Sequence, residues 1–66
     1  MRITLNGDLR DHPDGLTVKQ LLTDIGLTPA KVAVERNREI VPRSTYGDVV
    51  LADGDQLEIV HFIGGG

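Results

Sequence analysis

A short amphipathic helix between residues 17 and 26 limits most strongly what this chain can fold into. Thr17 and Gln20 form the Thr-x-x-Gln pattern of a capping box, which marks where a helix begins. Gly26 stands where a left-handed residue commonly closes a helix. Between these signals the apolar residues follow helical spacing and form one face: Val18, Leu21, Leu22 and Ile25. A helix of about nine residues does not persist alone in water, so this one must pack on a sheet.

The residues before the helix predict a β-hairpin. Ile3 and Leu5 alternate with polar neighbours, which is typical of a half-buried strand. The dipeptide Asn6-Gly7 follows and is a strong hairpin signal, because both residues tolerate positive φ. We predict a three-residue loop that adds Asp8 to this pair. That loop sets Leu9 opposite Leu5 on the core side, whereas a two-residue loop pairs Leu5 with Asp8.

The residues after the helix predict three further strands. Alternating apolar residues indicate a strand over 32–35, and Asn37-Arg38 is a tight turn into a returning strand over 39–41. We predict a single helical turn over 44–47, capped by Ser44, and a last strand over 56–62. A helix inserted among such strands gives an α+β domain in two layers, with a mixed sheet of four to five strands packed on one main helix.

Size and composition exclude several classes of function. The 66 residues make one domain, near the lower limit at which a chain folds without help. Without cysteine the chain has no disulfide, thiolate metal site or cysteine nucleophile. The net charge is -3 and the seven lysines and arginines are scattered, so we expect no nucleic-acid partner. No apolar run is long enough to cross a membrane and no secretion signal is visible, so we expect no membrane partner and a cytoplasmic location.

Other chemistries find little support in the sequence. Asp53-Gly54-Asp55 lacks the ligand spacing of a calcium loop, so we interpret it as a plain turn. His12 and His61 have no further ligands at metal-binding spacing, and the hydroxyls over 44–46 have no identifiable base. No glycine-rich phosphate loop joins a strand to a helix. We therefore expect no metal, no bound cofactor, no ATP site and no catalytic residue in this chain.

The last predicted strand divides its side chains between two faces. Leu57 and Ile59 point one way and belong to the core under the helix, because side chains alternate along a strand. Val60 and Phe62 point the other way, to a face that no helix covers in a two-layer domain. An exposed aliphatic and aromatic pair at this position predicts a docking surface for another protein.

The chain closes on three glycines directly after that strand. We predict a domain over residues 1–63 and a flexible tail over 64–66. The tail is either a frayed end or the carrier of a working carboxylate on Gly66. Glycines lack Cβ, and four extended residues from Ile63 onward reach about 13 Å, far enough to enter a partner's cleft. A carboxylate becomes an acyl donor once its oxygen is part of a better leaving group, such as a mixed anhydride with AMP.

A series of short motifs along nearly the whole chain is similar to those of a known family. In chain order they are Asn6-Gly7, Thr17-Val18 with Leu21-Leu22, Val32-Ala33-Val34-Glu35-Arg36-Asn37, Glu39-Ile40-Val41-Pro42-Arg43, Leu51-Ala52-Asp53-Gly54-Asp55, Glu58-Ile59-Val60 and Gly64-Gly65-Gly66. Each motif is weak alone, but the set in this order is specific. On these residues the chain resembles the sulfur carrier proteins of thiamine biosynthesis, the ThiS family, within the ubiquitin-like β-grasp superfamily.

The resemblance implies a fold and a role. The fold is a ubiquitin-like β-grasp whose first and last strands are parallel neighbours. The role is that of a protein co-substrate rather than an enzyme. An adenylyltransferase related to ubiquitin-activating enzymes uses ATP to adenylate Gly66, sulfur from a persulfide enzyme displaces AMP, and thiazole synthase takes the sulfur from the resulting thiocarboxylate. Gly64, Gly65, Val60 and Phe62 are the expected partner contacts.

Three alternatives stay open on the sequence. The small subunit of molybdopterin synthase uses the same thiocarboxylate chemistry. A ubiquitin-like covalent modifier joins its terminal glycine to lysines of target proteins. A pure interaction module has a tail without chemical function.

Overall fold

A computed structural model of the chain describes residues 1–62. Its elements are β1 (Arg2–Leu5), β2 (Asp8–Asp11), α1 (Val18–Asp24), a 3-10 turn (Pro29–Lys31), β3 (Val32–Arg36), β4 (Glu39–Val41), a second 3-10 turn (Arg43–Thr45) and β5 (Gln56–His61). The five strands form one mixed sheet in the order β2-β1-β5-β3-β4. The α+β prediction, with one helix on a sheet of four to five strands, is confirmed. The predicted boundary between the 1–63 domain and the 64–66 tail lies outside the described residues.

Helix α1 has the ends that the sequence predicts. The Thr17 hydroxyl accepts a hydrogen bond from the Gln20 backbone at 3.1 Å, and the Gln20 side chain accepts one from the Thr17 backbone at 2.9 Å. Gly26 has a φ of 85° and closes the helix in the left-handed region. The helix spans 7 residues rather than the predicted nine or so, because the chain leaves helical geometry at Ile25.

The core lies between this helix and one face of the sheet. Val18, Leu21 and Leu22 have no exposed surface. They pack with residues from the strands and from the second half of the chain, namely Ile3, Leu5, Val32, Val34, Val41, Tyr46, Leu51 and Leu57. The Tyr46 hydroxyl donates a buried hydrogen bond of 3.0 Å to the Val32 carbonyl, which satisfies its polar end inside this core.

The hairpin register differs from the prediction. Leu5 pairs with Asp8 and Thr4 with Leu9, so the loop contains two residues, and the three-residue loop is wrong. Asn6 has a φ of 48° and Gly7 a φ of 87°. Positive φ at both central positions defines the tight turn whose twist matches that of the flanking strands. This turn geometry outweighs the burial of one leucine, and Leu9 is 65% exposed.

The helical turn after β4 also begins elsewhere than predicted. It spans Arg43–Thr45, with Pro42 at its N-terminal boundary and no side-chain cap, so the predicted Ser44 cap is wrong. The Pro42 carbonyl instead accepts hydrogen bonds from the Thr45 backbone at 2.9 Å and the Thr45 hydroxyl at 2.7 Å. The Pro42 φ of -58° already suits the residue at which a turn begins, so Ser44 is not needed as a cap.

Candidate functional site at the end of the central strand

Strand β5 occupies the centre of the sheet and is the last strand within residues 1–62. Along one edge it pairs in parallel with β1, through Thr4 with Gln56 and Leu5 with Leu57. Along the other edge it pairs antiparallel with β3, from Arg36 with Leu57 to Val32 with His61. The predicted parallel pairing of first and last strands is confirmed. The residues that follow β5 are therefore attached to a strand anchored on both sides.

The Asn6 side chain extends the pairing of β1 with β5 beyond the end of β1. The Asn6 backbone N–H donates a hydrogen bond to the Leu57 carbonyl at 2.9 Å. Its side-chain Oδ1 accepts from the Ile59 N–H at 2.7 Å, and its Nδ2 donates to the Ile59 carbonyl at 3.1 Å. The amide thus satisfies both backbone groups of Ile59, as a neighbouring strand would do. Sequence analysis identified Asn6 only as a turn former, because nothing local indicates a partner 53 residues away.

Beyond Ile59 the strand is held from the β3 side. Val32 pairs with His61, and the Phe62 N–H donates a hydrogen bond of 2.8 Å to the Lys31 carbonyl. The Arg43 guanidinium lies over the Phe62 ring, with its Cζ atom 5.2 Å from the ring centroid. That separation is within the range of a cation–π contact. Phe62 therefore has both a backbone and a side-chain contact.

The sheet face opposite the helix carries several exposed apolar side chains. The pairings of Leu9 with Thr4, Val60 with Ala33 and Ile40 with Glu35 place them on this open face. Ile40 is 78% exposed, Leu9 65%, Val60 61% and, at the end of the strand, Phe62 45%. The predicted exposure of Val60 and Phe62 is confirmed, and their use as partner contacts stays a prediction. Sequence analysis did not identify Ile40 and Leu9 as part of this face, although alternation along 39–41 could have indicated Ile40.

Charged residues lie between these apolar groups. Glu35 and Glu58 stand directly opposite each other on β3 and β5, and both are exposed. At the other side of the face, Arg2 Nε donates to Asp11 Oδ1 at 3.1 Å. This hydrogen bond, together with the attraction between the two charges, raises the pKa of Arg2 and lowers that of Asp11. The middle of the face is therefore apolar and acidic, which suits a partner with apolar and basic groups.

A buried carboxylate secures the start of β5. Asp55 is only 6% exposed and accepts hydrogen bonds from Arg36 Nε at 2.8 Å, Asn37 Nδ2 at 3.0 Å and the Ala52 backbone at 2.8 Å. Burial raises the pKa of Asp55, but the hydrogen bonds from Ala52, Asn37 and Arg36 outweigh this effect and leave the pKa below its ordinary value. The turn over 53–55 is confirmed, and the burial of Asp55 is what sequence analysis missed.

The other residues considered for metal binding or proton transfer do not form a common site in the described part of the chain. His12 lies with Nδ1 3.6 Å from an Asp24 carboxylate oxygen at the far end of the helix, and His61 is exposed on β5. Within residues 1–62, no group of three metal-ligating side chains is present, and every buried side-chain nitrogen or oxygen has a hydrogen-bond partner. The same part of the chain contains no helix able to span a membrane. Gly64, Gly65 and Gly66 lie outside the described residues.

The fold and the position of β5 define a ubiquitin-like β-grasp protein: one helix across a mixed sheet in which the first and last strands are central, parallel neighbours. Residues 3–66 match the model of the ThiS family, and the chain belongs to that family. It is 45% identical over 65 residues to the sulfur carrier protein ThiS of Bacillus subtilis, covering 97% of this chain and 98% of that protein.

A solved structure and a longer relative extend the comparison. The crystal structure of the thiamine biosynthesis protein ThiS from Geobacter metallireducens superposes with a TM-score of 0.82 at 33% identity, and the match covers 100% of both chains. The chain is also 54% identical over 66 residues to a thiazole synthase of Magnetococcus marinus. It spans only about a fifth of that relative, since the match covers 20% of its length.

Proposed function

We propose that this chain is a sulfur carrier of thiamine biosynthesis, a protein co-substrate that carries sulfur as a thiocarboxylate on Gly66. The observation that supports this most strongly is the end-to-end match with the Bacillus subtilis protein, which is named for sulfur carriage. The geometry agrees with it. The strand that precedes the glycines in the sequence is the central one, and Val60 and Phe62 towards its end are exposed.

The chemistry follows from what a carboxylate needs before it can donate an acyl group. Attack of the Gly66 carboxylate on the α-phosphate of ATP releases pyrophosphate and forms an acyl adenylate. The terminal sulfur of a persulfide then attacks the acyl carbon, and AMP leaves. Cleavage of the resulting acyl disulfide by a thiol frees the thiocarboxylate. Because the 66 residues contain no cysteine, they supply neither the persulfide nor the thiol, and a separate persulfide enzyme is the sulfur donor in this proposal. We expect this reaction to take place in the cytoplasm.

Two partners follow from this scheme. The first is an adenylyltransferase related to ubiquitin-activating enzymes. The second is thiazole synthase, and the relative of that name containing a segment 54% identical to this chain supports the pairing. Both enzymes need the same glycines in their active sites, with Gly64 and Gly65 as the thin segment that enters and Val60 and Phe62 at the entrance. We therefore expect the two partners to bind one at a time, and a stable ternary complex would contradict this.

The activation step can be tested by intact-mass spectrometry. Incubation with ATP, the adenylyltransferase and a persulfide donor should raise the mass by the replacement of one oxygen with sulfur. Deletion of Gly66 should abolish the shift without changing the circular dichroism spectrum. A matched control is Gly47→Ala, at an exposed glycine where an added Cβ comes no closer than 4.0 Å to its nearest neighbour, a Lys19 side-chain carbon. An unchanged mass of the wild-type protein would contradict carriage of sulfur, and a ladder of conjugates would indicate a covalent modifier.

The acceptor enzyme distinguishes the thiamine pathway from molybdopterin synthesis. The thiocarboxylated protein is mixed in separate reactions with thiazole synthase and its small substrates, and with the large subunit of molybdopterin synthase. We expect loss of the thiocarboxylate and product formation with thiazole synthase alone. Transfer only to the molybdopterin enzyme would refute the assignment to thiamine while leaving the carrier chemistry intact.

A further inference from the structure

Arg43 contacts Phe62, the residue directly after β5 and the last one that the structure describes. Up to Ile59 the strand is fixed on both edges, by β3 and by β1 with its Asn6 extension. Between Ile59 and Phe62 the described pairing is with the β3 side alone. A side chain that holds Phe62 therefore fixes the end of a strand that, in the described residues, is otherwise held from the β3 side alone.

Arg43 is presented by a turn that is itself fixed to β3. The Pro42 carbonyl accepts two hydrogen bonds from Thr45, which hold the turn in shape. Tyr46 follows this turn, and its hydroxyl donates a buried hydrogen bond of 3.0 Å to the Val32 carbonyl. Val32 pairs directly with His61, the neighbour of Phe62. The segment that carries Arg43 and the strand that precedes Phe62 are thus both joined to β3 at Val32.

We propose that Arg43 is a positioning residue for activation of the terminal glycine. Its guanidinium holds the Phe62 ring and the Lys31 carbonyl holds the Phe62 N–H, so that Phe62, from which the sequence continues towards Gly66, keeps one orientation. This inference rests on the proposed function, because it concerns the delivery of Gly66 to the adenylyltransferase. It assigns Arg43 no contact with the reacting atoms.

The size of the effect follows from the strength of the contact. A cation–π contact at an exposed site changes the ratio between the state in which the ring is held and the state in which it is released by about two- to fivefold. When only a fraction of the carrier has the binding-competent geometry, its apparent affinity falls in proportion to that fraction. Arg43→Gln should therefore raise the apparent KM of the carrier in adenylation by up to about fivefold. The kcat should be unchanged, because the bound complex still delivers the same carboxylate.

The variants are chosen to separate positioning from a direct contact with the enzyme. Arg43→Lys keeps a cation over the ring and should restore most of the KM. Arg38→Gln makes the same charge change on the turn at the opposite end of β3 and should leave the KM at the wild-type value. Phe62→Leu removes the ring, so Arg43→Gln should have no further effect on KM in that background. Independent, additive effects of the two substitutions would overturn the proposal.

A nuclear magnetic resonance measurement tests the contact without any partner enzyme. Arg43→Gln should shift the Phe62 ring resonances and increase the fast backbone motion of Phe62, whereas Arg38→Gln should change neither. Unchanged Phe62 resonances in Arg43→Gln would refute the positioning role even if adenylation proceeds. Failure of the wild-type protein to be adenylated, with the resonance shifts as expected, would refute the proposed function instead.

Discussion

Replacement of Asp55 by asparagine should lower the free energy of unfolding by about 2–3 kcal/mol at neutral pH. The carboxylate accepts three hydrogen bonds, from Arg36, Asn37 and Ala52. If the new side-chain oxygen keeps the bonds from Arg36 and Ala52, its NH2 group faces the Asn37 NH2 group, which is also a donor. The substitution loses one charge-assisted hydrogen bond, at a cost of about 1.5–3 kcal/mol, and leaves the Asn37 donor without its partner. Because the neutral amide costs less to bury than the carboxylate, part of this loss is offset.

Urea unfolding followed by circular dichroism measures this difference, with Asp48→Asn as the matched control. Asp48 is exposed, so its substitution should stay within about 0.5 kcal/mol of wild type. For a domain of this size the Asp55→Asn change corresponds to a melting temperature roughly 10–20 °C lower. A loss for Asp55→Asn no larger than that for Asp48→Asn would refute the idea that this carboxylate secures the start of β5.

The same pair of proteins gives a pH test with a defined sign. Because the folded pKa of Asp55 is below its ordinary value of 3.8, the stabilisation is fully present above that value and is lost as the pH falls through the folded pKa. Asparagine does not titrate. The gap in unfolding free energy between wild type and Asp55→Asn should therefore be constant from neutral pH down to about 5 and narrow below about 4. A gap that widens at acid pH would contradict the direction of the pKa shift.

Three further predictions concern the hairpin, the core and the open face. Asn6→Ala should cost about 2–3 kcal/mol in urea unfolding, since it loses two bonds to Ile59 and strains a positive φ, whereas Asn6→Gly should lose only about half as much. Leu21→Ala should cost about 2–5 kcal/mol in the same assay and Leu9→Ala less than about 0.5 kcal/mol; equal losses would contradict the observed register. Val60→Ser should leave stability unchanged and weaken binding to thiazole synthase in calorimetry by about 1 kcal/mol, and unchanged affinity would remove Val60 from the interface.

Helix α1 was predictable because everything that specifies it is local. Its capping box joins residues three apart, and its apolar face repeats within two turns. Gly26 closes the helix through its own backbone conformation. The strand pattern of β3 and β5 was predictable for the same reason, because alternation along one segment already shows which side chains face the core. Predictions of this kind need no knowledge of what the segment packs against.

The hairpin shows where two local signals conflict. Burial of Leu9 favoured a three-residue loop, and the Asn-Gly dipeptide favoured a two-residue loop. The structure follows the turn, because a tight turn with two positive φ angles fixes the register of the strands on both sides. An exposed leucine is tolerated on the open face, where Leu9 adds to the apolar surface that includes Val60.

The contacts around the candidate site could not be predicted from spacing. Asn6 reaches Ile59 over 53 residues of sequence, and Asp55 reaches Asn37 over 18. The Arg43–Phe62 contact likewise joins a turn to the end of the central strand. These pairs become neighbours only through the strand order, which places the last strand between the first and the third. The alternation of side chains along β5 was predictable, whereas the way β5 is held in place was not.

Tandem mass spectrometry of the activated protein can locate the sulfur that we propose is carried on the carboxylate of Gly66. After reaction with ATP, the adenylyltransferase and a persulfide donor, the protein is digested at arginine and lysine, and the peptide that follows Arg43 is fragmented. We expect the mass increase from replacement of oxygen by sulfur only in fragments that contain Gly66. Sulfur on fragments that lack Gly66, or an unmodified Gly66 peptide from a fully active mixture, would contradict it.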